Sequence, residues 1–507
     1  MPTKTEKIQQ TEIKSRPPVV VVVGHVDHGK TTLLDYVRKA NVAAREAGGI
    51  TQAVGAYEIV HAVAGGEARK ITFIDTPGHE AFSAMRSRGA EIADLAILVV
   101  AADESVKPQT REAIKILEET KTPFVVAFNK IDKAGASGLE KAKSDVMLAG
   151  VMLEGYGGQV SYCGISAKTG EGVNDLLDLV LLSADVEDLT YDPGAAGSGY
   201  ILEVRRDPRR GIEASVIIKD GVLRRGDAIV TGTATGKVKI LEDFAGKAAG
   251  ELAPSAPALI IGFETLPNVG EKFSAGALHQ GGPEYSVGRQ GTNDVRRVTG
   301  VAPKNANTLN LLLKASDGGS LEALSVVLRG VGATVEQKHS GHPNKEVHIV
   351  DESVGDITDG DVRHASATNA TIIGFKNRVE KGARVLADAQ SVSIITSNIV
   401  YDLAKAVEEF LTGVRGPVAA GELEVLAVFN QDKLDKQLVG GRVAAGSFRA
   451  KTTCDIIRGE SSIGTGRILE LREKKSEIAS ADKGKEIGVL ISASDAIQVG
   501  DRLVVKK

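Results

Sequence analysis

The run Val19-Val20-Val21-Val22-Val23, followed by Gly24-His25-Val26-Asp27-His28-Gly29-Lys30-Thr31-Thr32, leaves this chain few ways to fold. Five successive β-branched residues read as a strand buried on both faces, as in a parallel sheet. The next eight fit G-x-x-x-x-G-K-[ST], which needs a strand before it and a helix after it. Gly24 and Gly29 let the backbone wrap phosphate oxygens, while consecutive N–H groups and the helix start supply partial positive charge. Lys30 adds a full charge for the β- and γ-phosphates, and Thr31 offers a hydroxyl to Mg²⁺.

Further motifs follow at strand ends. Asp75-Thr76-Pro77-Gly78-His79 closes the apolar run Ile71–Ile74. An acid there can hold the metal through water, and the Gly78 amide can sense a γ-phosphate. Between the two motifs, Thr51 in Gly48-Gly49-Ile50-Thr51-Gln52 can complete the Mg²⁺ shell when that phosphate is present. Asn129-Lys130-Ile131-Asp132 follows the strand-like Phe124–Phe128. A carboxylate at Asp132 accepts two hydrogen bonds from guanine, and adenine offers no such donor pair. The Asn129 amide suits guanine's acceptors, and the Lys130 stem can cover the ring. Ser166-Ala167-Lys168 can add a backbone N–H to the guanine carbonyl. Four elements in this order imply GTP, and its product GDP, with His25, Val26, Asp27, His28 and Thr76 to Pro77 lining the phosphate loops.

The 507 residues suit three to five domains. Residues 1–16 read as a disordered polar arm. Residues 17–190 alternate strand-like runs with helical stretches such as Thr31–Lys39, Thr110–Glu119 and Val173–Ser183, implying a mainly parallel sheet with helices on both faces. Residues 198–285 carry short strands and Gly-Asp turns, as in a β-barrel. A linker over 286–305 leads to a small αβα domain at 306–397, a connecting helix at 398–414 and a terminal β-barrel at 415–507. The expected fold class is thus multidomain α/β plus β. IQVGDRLVV near the end resembles LRRGDAIV in the first barrel and suggests a weak repeat.

Composition narrows the partners. The net charge of −4 gives no overall basic surface, and the tail from Val414 holds 16 Lys/Arg against 13 Asp/Glu, so an RNA contact must be local. The absence of Trp argues against stacking platforms. Cys163 and Cys454 fit no metal spacing and read as reduced thiols. PVVVVVG is too short to cross a bilayer, and the polar start lacks a signal core, so a cytoplasmic monomer without a membrane partner is expected.

GHVDHGKTTLLD, GGITQAVGAY, DTPGHEAF, NKID and SAKTGEG together resemble the translational GTPases. With GSLEAL, ITDGDVRHASATNATIIGF, IVYDLAKAVEEF, GGRVAAGSFR and KGKEIGV, the chain most resembles the bacterial initiation-factor-two family along nearly its whole length. That resemblance implies a ribosome-stimulated GTPase that positions formylmethionyl initiator tRNA on the small subunit and promotes joining of the large one. It implies that His79 orders the attacking water, that Val26 and Ile50 form an apolar gate, and that Thr31, Thr51 and Asp75 (through water) serve Mg²⁺. Arg442, Arg449 and Glu486 become candidates for the tRNA end. The chain departs from the family at Ala53, where the switch loop usually has His, and in the short arm before the GTPase domain. It departs again at Gly441 and Ile487, where the terminal barrel usually has cysteines. An elongation-type or specialised tRNA-delivery GTPase, or a GTP-gated binding module with negligible turnover, stays open as an alternative.

Overall fold

The computed structural model describes residues 13–38, 55–63, 66–77, 82–276, 308–338, 346–412, 419–430, 436–450, 452–458, 461–473, 476–482, 484–493 and 495–506. They fall into two compact units, Met1–Lys405 and Ala406–Lys507. Among the described residues no helix is long and apolar enough to cross a membrane.

The first unit begins with a pair of two-residue strands, β1 (Lys14–Ser15) and, much later, β8 (Thr190–Tyr191), which close the first domain. Between them lie β2 (Val19–Gly24), α1 (Lys30–Arg38), β3 (Gly55–Ala62), β4 (Ala68–Asp75), α2 (Ser83–Ile92), β5 (Leu95–Ala101), α3 (Pro108–Thr120), β6 (Phe124–Asn129), α4 (Ile131–Leu148), β7 (Tyr162–Gly164) and α5 (Val173–Val186). The sheet order is β3-β4-β2-β5-β6-β7, parallel except for β3. Val19, Val21 and Val23 face one core with Ile92, Leu117 and Val146, whereas Val20 and Val22 face another with Leu33, Leu176 and Val180. The five valines are therefore buried on both sides. The sequence reading named no strand at Gly55–Ala62; its outer residues alternate weakly because this is the sheet's exposed edge.

A closed antiparallel barrel follows, built from β9 (Ser198–Asp207), β10 (Gly211–Asp220), β12 (Ala228–Val230), β13 (Thr235–Asp243), β15 (Pro257–Phe263) and β16 (Lys272–Ala275) in the order β10-β15-β13-β12-β16-β9. The short pair β11 (Leu223–Arg224) and β14 (Glu251–Leu252) lies outside that ring. Leu202 and Ile217 of the barrel join the core of the first domain. At the same junction Asp94 accepts from both Arg16 Nη1 and Nη2, at 2.6 and 2.8 Å, and from Lys219 Nζ at 2.5 Å. It also accepts the Val19 N–H at 2.8 Å. Burial alone would push the Asp94 carboxyl up, but Arg16 and Lys219 more than offset it and hold the group below the usual carboxylate range.

Next comes a four-stranded parallel sheet: β17 (Thr308–Ala315), α6 (Gly318–Lys338), β18 (Glu346–Val354), α7 (Asp359–Thr368), β19 (Ala370–Phe375), α8 (Lys381–Gln390) and β20 (Ile394–Ser397), ordered β18-β17-β19-β20. The α6 start reaches both earlier domains. Gly319 N–H donates to Glu203 Oε1 at 3.0 Å, and Arg88 Nη2 of α2 donates to Glu322 at 3.1 Å. Burial, with Asp317 beside it, pushes the Glu203 carboxyl up to about 8. The helix α9 (Val400–Thr412) runs across the division between the units.

The second unit holds β21 (Ala419–Asn430), β22 (Gln437–Arg449), β23 (Thr453–Arg458), β24 (Ser461–Glu473), β25 (Ser476–Ile478), β26 (Ser480–Asp482), β27 (Glu486–Ala493) and β28 (Arg502–Lys506). The path β21-β28-β23-β24-β27-β22 closes because β21 also pairs with β22. Counting only ring strands, both barrels share one order: second, fifth, fourth, third, sixth, first.

That shared order corrects the repeat inferred from sequence. Gly500-Asp501 precedes the sixth strand of its ring, but Gly226-Asp227 precedes the third of the other. The topological counterpart of Gly500-Asp501 is Gly270-Glu271. Gly270 N–H donates to Ile201 O at 2.8 Å, and Ile201 N–H returns to Glu271 O at 2.9 Å. Gly500 and Val425 do the same at 2.9 and 2.9 Å. Both glycines have a left-handed φ, +88° and +91°. The identical turn recurs at Gly226 with Val238 and at Gly484 with Val443. What the sequence showed as a repeat is one turn type that recurs in both barrels.

Candidate nucleotide-binding site

The loop between β2 and α1 is shaped by its backbone. Asp27 sits at φ +64° and Gly29 at φ +89°. A Cβ on Gly29 would fall 2.3 Å from Asn129 Nδ2, so only glycine fits this approach. Lys30, 6% exposed, curls back over the loop and donates to Gly24 O at 2.9 Å and His25 O at 2.7 Å. Burial pushes its ammonium down to about 8, partly countered by Asp75 and Asp27 and reinforced by Arg86. His28 is fully buried with Nδ1 3.3 Å from Val99 O, and burial drives its imidazole down to about 4. A neutral ring packed edge-to-face on His25, with centroids 5.0 Å apart, shapes the loop rather than reacting. Val26 N–H donates to Gln109 Oε1 of α3 at 3.0 Å.

At the base end the structure gives Asn129 a further task that its residue type does not show. Its side chain is 2% exposed, its Nδ2 donates to His28 O at 2.8 Å, and its Oδ1 accepts the Ala167 N–H at 2.9 Å. Asn129 thus ties the phosphate loop to the Ser166–Lys168 loop, and its Nδ2 carries a second N–H beyond the one given to His28. The Ala167 N–H is taken up in this tie. Ser166 is fully buried and its Oγ accepts the Thr169 N–H at 3.3 Å, while Lys168 is exposed. Lys130 adopts φ +64°, and its Nζ lies 2.9 Å from Glu104 and 3.6 Å from Asp103, which tie its side chain to the turn after β5. Asp132 stands exposed in the first turn of α4.

At the metal end, Asp75 closes β4 at 8% exposure, and Thr31 and the exposed Thr32 open α1. One carboxylate and one hydroxyl beside a phosphate cradle form a hard-oxygen donor set, which suits Mg²⁺. Thr76 is fully buried and donates to Val22 O at 3.1 Å, which seats the turn on the sheet. Ile50, Thr51, Gly78 and His79 lie outside the described residues, and so does the Ala53 substitution.

Two partners escaped the sequence reading. Arg86, 1% exposed, donates from Nη1 to Pro77 O at 3.2 Å and from Nη2 to Glu112 Oε1 of α3 at 2.6 Å. Its signal was present: Met85, Gly89 and Ala90 make that helical face small and apolar, and a cation among them asks for a partner. Gln109 had no such signal.

In the second unit the resemblance's two pocket segments are cross-strand neighbours, Gly441 opposite Ile487 and Arg442 opposite Glu486. Ile487 points into the barrel core. Arg442 Nη2 donates to Glu486 Oε1 at 2.9 Å, so these two candidate contacts neutralise each other on the surface, and Arg449 is exposed.

Comparison with known proteins matches three family models in chain order. Residues 15–185 match the elongation factor Tu GTP-binding domain, residues 196–276 elongation factor G domain 2, and residues 289–408 translation-initiation factor 2. Among solved structures, GDP-bound aIF5B from Aeropyrum pernix is 27% identical, covering 97% of this chain and 92% of that one, with a TM-score of 0.44. A bacterial selenocysteine-specific elongation factor, EF-Sec, is 20% identical over 51% of this chain and 45% of its own, with a TM-score of 0.43.

Proposed function

We propose, from the premise that this chain belongs to the translational GTPase superfamily and carries an initiation-factor-2 domain, that it is a ribosome-stimulated initiation GTPase of the cytoplasm. It brings initiator tRNA to the small subunit, promotes joining of the large subunit and leaves after GTP hydrolysis. The observation that carries this reading is the αβ domain β17–β20 placed in sequence between two barrels, within the matched initiation-factor segment. An elongator-tRNA carrier of the same superfamily follows its GTPase domain with two barrels directly.

The chemistry assigned to this chain's residues is positioning and charge compensation. Lys30 exchanges its two loop carbonyls for phosphate oxygens, and Asp132 accepts the guanine's paired donors. Asn129 keeps the phosphate and base loops in register. Thr31, Thr51 and Asp75 would hold Mg²⁺, which when bound supplies charge neutralisation between the β- and γ-phosphates. The Gly78 amide reads the γ-phosphate, His79 orients the attacking water, and Val26 with Ile50 limits its approach. In the terminal barrel the outer face carrying Arg442, Arg449 and Glu486 is the candidate for the initiator tRNA end. With Gly441 and Ile487 turned inward, selectivity for the formyl group has no support in these two positions.

The test is phosphate release with and without ribosomes, for the native protein and His79→Ala. Ribosomes should accelerate the native protein strongly, and His79→Ala should keep GTP affinity within about twofold while losing that acceleration by two orders of magnitude or more. No acceleration of the native protein would leave a nucleotide-gated binding module as the better reading.

A further inference from the structure

The first turn of α6 is wedged where the three domains of the first unit meet. Gly318 lies against the barrel, where a Cβ would stand 2.8 Å from Val204 Cγ2 and 2.7 Å from Val269 Cγ2. Gly319 lies against α2 and β9 together, since its Cβ would fall 2.3 Å from Met85 Cε and 2.9 Å from Glu203 Oε2. Two carboxyl groups stand side by side at this point. They are Glu203 of β9 and Asp317 of the turn before α6, each 9% exposed. The backbones of Asp317 and Arg205 pair as an isolated antiparallel bridge, which fixes that turn on β9.

The two groups are served unequally. Asp317 has a donor on each oxygen, the Ser316 hydroxyl on Oδ2 and the Ser320 N–H on Oδ1 at 2.8 Å. Glu203 Oε1 accepts the Gly319 and Val204 N–H groups at 3.0 and 2.9 Å, but its Oε2 is buried without a partner. Among the described residues no cation pairs with either carboxyl. Arg88 of α2 pairs with Glu322 of α6 at 3.1 Å, Arg205 pairs with Glu213 of β10, and Arg86 of α2 with Glu112. Asp317 is therefore the charged neighbour that acts on Glu203. Like charges this close in a buried site disfavour each other's ionisation. A proton on Oε2 removes one charge and turns an orphaned acceptor into a donor for Asp317.

We infer that Glu203 keeps a proton at this three-way junction, and that losing it loosens the first turn of α6 from β9 and α2. The ligand that sets the hold on the αβ domain is then the hydrogen ion. Burial and Asp317 push the carboxyl up to about 8 while α6 is docked, whereas a solvated glutamate titrates at about 4.3. The docked form thus binds a proton that the released form gives up. Docking is fully held below about pH 4, weakens as pH rises, and levels off above about 8, where both forms are ionised.

The experiment is amide hydrogen exchange of the full-length protein from about pH 6 to 9, corrected for the intrinsic rise of exchange with pH. Protection of the Gly319, Ser320 and Leu321 amides should fall by up to about tenfold per pH unit until about 8, then level off. At every pH these amides should exchange faster than those of β5, because the turn opens without the domain core. Glu203→Gln, whose amide donates to Asp317 without titrating, should keep protection flat within about twofold. Asp317→Asn removes the like charge, so the levelling-off should move to lower pH by about one unit or more. Flat protection in the native protein, or the same fall in Glu203→Gln, would overturn the proton latch. Protection equal to that of β5 throughout would mean that the turn opens only when the unit unfolds, which also overturns it. Should Glu203→Gln fail to fold, Asp317→Asn decides, and an unmoved levelling-off would remove the proton from Glu203.

Discussion

At the scale of single residues, the site joins side chains that were plain in the sequence to others that only the fold reveals. Lys30 was plain, but its resting state was not: it lies against Gly24 O and His25 O with its ammonium down near 8. Phosphates beside it would raise that value. Between the free and bound values, binding must therefore take up a proton, and affinity must fall as pH rises past about 8. GDP titrations from about pH 7 to 9 in buffers of differing ionisation enthalpy should show net proton uptake growing above 8 and affinity falling by up to tenfold per pH unit. Affinity flat over that range without proton exchange would mean Lys30 is charged in both states. The motif Asn129-Lys130-Ile131-Asp132 predicted guanine contact for both polar ends, and residue type could not show that the Asn129 amide also bridges His28 and Ala167. Chemistry of a side chain is legible in sequence; what it has already bonded to is not.

Among elements, those with strong periodicity were legible and those whose pattern is broken by function were not. The valine run became a strand buried on both faces, and the alternation through Val186 became a mainly parallel sheet. Helix α2 was harder to see because Arg86 interrupts its apolar stripe and Gly89 weakens its helical preference. The barrels show the same limit in another form, since their resemblance in sequence lay in turns and their real correspondence in strand order. That correspondence bears on the departure at Gly441. A Cβ there would stand 2.3 Å from Leu423 Cδ2 and 2.4 Å from Glu424 O, on the neighbouring strand β21. Gly441→Cys, which restores the family's usual residue, should therefore destabilise the terminal barrel by about 1–3 kcal/mol, read by chemical denaturation. A neutral or stabilising effect would show that β21 yields easily.

Over the whole first unit, polar contacts join the three domains beside the apolar packing of Leu202 and Ile217 on the first domain's core. Asp94 gathers Arg16, Lys219 and the Val19 N–H where the first barrel meets the parallel sheet. Ser255 adds its Oγ to Pro17 O at 2.5 Å and accepts from Thr72 Oγ1 at its own carbonyl at 2.6 Å. Removing one partner of a buried charge cluster strands the others, so Asp94→Ala should cost about 3–5 kcal/mol. The thermal midpoint of the GTPase domain and barrel should fall together, and a loss below about 1 kcal/mol would mean water replaces the carboxylate cheaply. None of these contacts was readable beforehand, because Arg16, Asp94, Lys219 and Ser255 are ordinary residues in four separate stretches.

The strand order of the two barrels has a consequence for their ancestry and handling. In each, the first and last strands are hydrogen-bonded neighbours, β9 with β16 and β21 with β28. The chain thus comes in and goes out through adjoining doors about 5 Å apart. Each barrel is a cassette: it can be duplicated, swapped or appended in one piece, and the surrounding polypeptide need not be rerouted to receive it.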